Sequence, residues 1–132
     1  MSTADTKANR PLSPHLQIYH WHLTLVMSIV HRATGIALYA GMALLTWWLL
    51  AAATGRGHFR FVDGIFGSWI GMIILFGFTW ALIHHMLGGL RHFIWDTGHG
   101  LDKPMRDQLA LANIVGSVAL TIVVWIVGLA VR

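Results

Sequence analysis

The 132 residues contain no cysteine and no glutamate, and only three prolines. Without cysteine the chain cannot form a structural disulfide, ligate an iron–sulfur cluster through thiolates or carry a C-x-x-C-H haem attachment. Charge is scarce too: Asp, Glu, Lys and Arg together make up 11% of the residues, and all five acids are aspartates. Residues 33–55, 64–90 and 108–131 lack charged side chains altogether. Each run exceeds the roughly 20 residues that cross a hydrocarbon core as a helix. The expected fold class is therefore all-α and integral to the membrane, with three transmembrane helices in an up-down-up bundle.

The formal net charge is +4. The Lys and Arg residues lie at the ends of the apolar runs, as charges excluded from lipid do, and form no patch suited to nucleic acid. Residues 1–22 read as a tail and interfacial segment, with Pro11 and Pro14 keeping the lead-in extended and Tyr19 and Trp21 suited to the headgroup zone. Residues 23–132 read as the membrane domain, with helices over about 23–53, 65–95 and 108–131 and a short basic loop up to about residue 64. Asn113, Ser117 and Thr121 recur every four residues and form a polar stripe facing protein. Three spans put the termini on opposite sides. Lys7, Arg10, Lys103 and Arg106, with Arg32 and Arg91 at the margin, outnumber Arg56, Arg60 and Arg132, which favours a cytoplasmic N-terminus.

What is present in such a chain is an unusual set of ionisable groups at membrane depth. The run His84-His85-Met86-Leu87-Gly88-Gly89-Leu90-Arg91-His92, continuing to Asp96, closes the second apolar stretch. Ionisable groups there are expensive, so function is the default reading. His85 and His92 are seven residues apart and share a helix face, with Gly88 and Gly89 between them. A nitrogen ligand above a gap free of side chains suits a flat, bulky group. On helix one, Ser28, His31, Arg32 and Gly35 follow at offsets of three, four and seven, forming one stripe. A membrane arginine needs a snorkelling route or an anionic partner.

Haem iron takes neutral imidazole as ligand. His85 lies about 9 Å deeper than Arg91 at the helical rise, which suits a buried macrocycle whose propionates point back to the interface. His31, Arg32, Arg91 and His92 are then candidate propionate partners. On spacing alone, this reading and a set of interfacial histidines without a cofactor stand level. His84 and His85 point about 100° apart and cannot both face one iron. A second ligand must come from helix one, with His31 a candidate, or from another polypeptide.

The runs Ser28-Ile29-Val30-His31-Arg32-Ala33-Thr34-Gly35 and His85-Met86-Leu87-Gly88-Gly89-Leu90-Arg91-His92-Phe93-Ile94-Trp95-Asp96 resemble the two signatures of the succinate dehydrogenase cytochrome b556 membrane-anchor family. Those signatures are Ser-x-x-His-Arg-x-[Ser/Thr]-Gly and His-x-x-x-Gly-x-Arg-His-x-x-x-Asp. The lead-in Arg10-Pro11-Leu12-Ser13-Pro14-His15-Leu16 is similar to that family's N-terminal form. The resemblance implies that His85 is the axial ligand of haem b, the second ligand being a histidine of a sister anchor subunit. It puts His31 and Arg32 near the haem propionates, with His92 assigned there as well, and Ser28 and Arg32 at a ubiquinone site. His84 receives no ligand role, and no residue a catalytic one.

The resemblance further implies a multi-pass protein of the bacterial cytoplasmic membrane, in preference to the mitochondrial inner membrane. Its partners would be a second small anchor subunit, an iron–sulfur subunit and a flavoprotein that oxidises succinate itself. The alternative is a bis-histidine cytochrome b of another redox complex, such as a fumarate reductase anchor.

Overall fold

The computed structural model describes His15, Ile18 and residues 20–131. Most of the expected tail, with its proline-containing lead-in, lies outside the described residues. Among the described residues are four helices: α1 Leu23–Thr54, α2 Arg56–Gly67, α3 Trp69–Asp96 and α4 Lys103–Ala130. Helices α1, α3 and α4, of 32, 28 and 28 residues, are each long and apolar enough to cross a membrane. At the helical rise α1 extends about 48 Å, well beyond a hydrocarbon core of about 30 Å. The start of α1, the end of α3 and the start of α4 share one end of the bundle, because short connections join antiparallel neighbours.

The stretch expected as a loop up to residue 64 is instead helix α2. Gly55, at φ 135°, ends α1 in a backbone conformation that favours glycine. The chain then turns into a short amphipathic helix that no search for long apolar runs could detect. Phe59, Val62 and Phe66 recur at helical spacing and turn inward. Phe59 packs edge-on to Trp48 with ring centroids 5.7 Å apart, Phe66 meets Trp47 at 6.1 Å, and Val62 is fully buried. Arg56, Arg60 and Asp63 lie on the exposed side, the pattern of a helix lying in the membrane interface.

α3 consequently begins at Trp69 rather than near residue 65. The Ser68 hydroxyl caps it by accepting from the Gly71 N–H at 3.1 Å. Gly71 is needed at this corner, since a Cβ there would meet the backbone of Ile65 and Phe66. α4 likewise starts earlier than its apolar run, at Lys103. Asp102 caps it by accepting from the Met105 N–H at 3.3 Å, and Pro104 occupies its first turn. Its buried residues are Ala110, Asn113, Ser117 and Thr121. This is the expected polar stripe, and it packs against α3. Small side chains let membrane helices approach closely, and hydroxyls and amides bond across them.

Candidate functional site

One end of the bundle collects the imidazoles. His84, Gly88 and Arg91 lie on the buried face of α3, with His84 only 2% and Arg91 4% exposed. His85, Gly89 and His92 lie one position further round. The two adjacent histidines therefore serve different helices. His84 faces α4, its Nδ1 at 3.2 Å from Ser117 Oγ and 3.3 Å from Asn113 Nδ2. Asn113 also donates to the His84 carbonyl at 3.3 Å.

His85 faces α1. Its ring lies flat on that of His31, with centroids 4.0 Å apart and planes 6° from parallel. Its Nδ1 donates to the His31 carbonyl oxygen at 3.1 Å. Thr34 Oγ1 is 3.3 Å from the same nitrogen. A Cβ on Gly35 would come within 3.1 Å of His85 Cε1, and a Cβ on Gly88 would run into His31 Nδ1. The glycines thus allow α1 and α3 to cross closely enough for the two imidazoles to stack.

His92 completes the cluster. Its ring centroid is 5.4 Å from that of His31 and 5.1 Å from that of Trp95. On the outer side the cluster is open: nothing lies within 4 Å of a Cβ built on Gly89. Among the described residues, no hydrogen bond involves His85 Nε2.

The four-residue stripe expected on α1 divides in two. His31 and Gly35 face α3, whereas Arg32 is exposed and Ser28 half-buried at the margin. The Ser28 hydroxyl makes no hydrogen bond among the described residues. By contrast, Thr46, Thr79 and Thr121 each donate to the carbonyl four residues back, at 2.7–2.8 Å. Arg91, expected at the membrane margin, is buried. Its guanidinium lies 4.9 Å from the Trp95 ring centroid, and its Nε and Nη1 are buried without a partner. No carboxylate pairs with it among the described residues. Asp96 is exposed at the end of α3.

Sequence reasoning quoted Thr34 only as a signature position and missed its contact with His85, since it falls outside the stripe at offsets of three, four and seven. It also missed the contact between His84 and Asn113. Each residue was visible as a polar group in an apolar run, but the partner depends on how the helices are rotated. A cleft of about 410 Å³ between α1, α2 and α3 is lined by Gly41, Trp48, Phe66 and Phe78 among others. It holds none of these imidazoles.

The fold and the histidine cluster define a class: an all-α, multi-pass membrane protein with three spanning helices and ionisable side chains gathered at one end. Residues 6–124 match the family described as succinate dehydrogenase/fumarate reductase transmembrane subunit. The chain belongs to that family. It is 49% identical over 121 residues to the succinate dehydrogenase cytochrome b556 subunit of Paracoccus denitrificans, covering 92% of this chain and 93% of that one. The cytochrome b556 subunit of Rickettsia conorii is 32% identical over 117 residues, covering 89% and 91%. The mitochondrial cytochrome b560 subunit of Sus scrofa is 42% identical over 110 residues, covering 82% of this chain and 65% of its own length.

Proposed function

We propose that this chain anchors succinate dehydrogenase in the membrane, binds haem b through His85 and contributes Ser28 and Arg32 to a ubiquinone-reduction site. The observation that carries the haem assignment is the state of His85. A carbonyl oxygen only accepts, so the bond from Nδ1 to the His31 carbonyl requires the Nδ1–H tautomer and leaves a lone pair on Nε2. That is the neutral form a metal takes. The open surface over Gly89 fits a flat group beside the ring.

Further support comes from the charges. A buried arginine without an anion is costly, and Arg91 has two unpartnered nitrogens. Arg91, with His31, Arg32 and His92, supplies donors of the kind that hold haem propionates. His31 would not suit as a second ligand to the same iron, because its ring is stacked parallel to that of His85. Their nitrogens lie side by side rather than opposed across one point. A second ligand would come from a histidine of the partner anchor subunit. Bound there, the haem supplies reversible one-electron transfer.

Succinate oxidation belongs to the flavoprotein, from which an iron–sulfur subunit on the cytoplasmic face passes single electrons. This chain's own residues hold the acceptor. The Ser28 hydroxyl, which makes no bond within the described residues, donates to a quinone carbonyl. The exposed Arg32 guanidinium stabilises negative charge developing on the other quinone oxygen, as a preorganised donor does at an oxyanion. A fumarate reductase anchor is the second reading, since the matched family covers both complexes.

Two measurements on the purified complex test the proposal. An affinity tag on this chain should recover a second three-span subunit, an iron–sulfur protein and a flavoprotein. Arg32→Leu should lower ubiquinone reduction by at least tenfold, about 1.4 kcal/mol of transition-state stabilisation. Succinate oxidation by an artificial acceptor should survive. Equal loss of both activities would assign Arg32 to assembly instead.

A further inference from the structure

His85 Nδ1 has two acceptors within reach, the His31 carbonyl oxygen at 3.1 Å and Thr34 Oγ1 at 3.3 Å. The Thr34 hydroxyl donates its own hydrogen to that same carbonyl at 2.9 Å. With the hydrogen committed there, Oγ1 offers His85 only lone pairs. Both neighbours of Nδ1 therefore accept, and neither can donate to it. Thr34 is 3% exposed, so bulk water does not replace its hydroxyl. His31 is stacked on the face of the imidazole, and the missing side chain of Gly35 leaves room for its Cε1 edge.

We propose that Thr34 is a positioning residue for His85, holding the imidazole in the Nδ1–H tautomer and at a fixed ring rotation so that Nε2 is presented for coordination. The proposal rests on the reading of His85 as a haem ligand. A partner that accepts from the distal N–H of a ligating imidazole fixes its tautomer and orientation and raises its basicity. A single acceptor would leave the ring free to swing about one bond. The paired acceptors from one turn of α1 define its plane. Thr34 contributes one acceptor directly, and its donated hydrogen holds it beside the carbonyl that supplies the other.

The test compares Thr34→Val, which keeps the shape and removes the hydroxyl, with Thr34→Ser, which keeps the hydroxyl and removes the methyl. Both are made in the whole complex, and haem content and the haem midpoint potential are measured by redox titration. Thr34→Val should retain its haem but titrate at a higher potential, because a less polarised N–H makes a weaker donor to the ferric iron. Thr34→Ser should titrate with the wild type. An unmoved or lowered potential in Thr34→Val overturns the proposal. So does a displaced potential in Thr34→Ser, which can be read even if the valine complex does not assemble. A wild-type complex without a b-type band would instead overturn the ligand reading of His85 itself, and the role of Thr34 with it.

Discussion

Adjacent histidines on a helix differ by about 100° in direction, and here that difference assigns them different partners. His85 turns to the His31–Gly35 turn of α1, while His84 turns to Asn113 and Ser117 on α4. Replacing His84 by alanine should open a cavity and leave Asn113 without its imidazole partner. The cost should be about 2–4 kcal/mol, measured as a lower thermal midpoint of the isolated complex with haem still bound. Loss of haem at unchanged stability would contradict that assignment. Much of this site was legible from residue types alone. Polar groups in a charge-free run stand out, and a seven-residue spacing places His85 and His92 on one face. Thr34 was not legible as a contact of His85, because only the rotation of α1 against α3 decides which side of that turn meets the ring.

At the scale of the helices, the crossing of α1 and α3 depends on missing side chains. His31 sits where a side chain on Gly88 would be, and His85 sits against Gly35. Gly88→Ala should therefore push α1 away from α3. Overpacking of this kind costs about 1–3 kcal/mol, so the assembled complex should be recovered in lower yield and melt earlier. Unchanged yield and melting would show that the crossing is looser than described. The three spans were legible because composition suffices when a helix must be apolar over its whole membrane length. α2 was not, since its apolar residues recur only at helical intervals and its charges resemble those of a loop. The early start of α4 lay in a signal of another kind, the Asp102 cap followed by Pro104.

For the whole molecule, the three spanning helices present many exposed apolar side chains, among them Ile36, Tyr39, Phe93 and Ile126. In a membrane these meet lipid or a neighbouring subunit. The histidine end carries Lys103 and Arg106, whereas α2, with Arg56 and Arg60, lies at the other end. The excess of Lys and Arg on the N-terminal side favours a cytoplasmic N-terminus, and in that orientation α2 would face the opposite compartment. The lack of native cysteine makes this directly measurable. In spheroplasts, a membrane-impermeant maleimide should label Arg60→Cys at once and His99→Cys only after lysis. The reverse pattern would invert the topology and place the proposed iron–sulfur contact on the wrong face.

The central claim is that His85 is this chain's ligand to haem iron. The most direct measurement is the reduced-minus-oxidised spectrum of the intact complex, recorded for the wild type, His85→Ala and His84→Ala at equal subunit content. The account predicts a b-type band in the wild type that His84→Ala keeps and His85→Ala loses or strongly shifts. A band that survives His85→Ala and disappears in His84→Ala would contradict it.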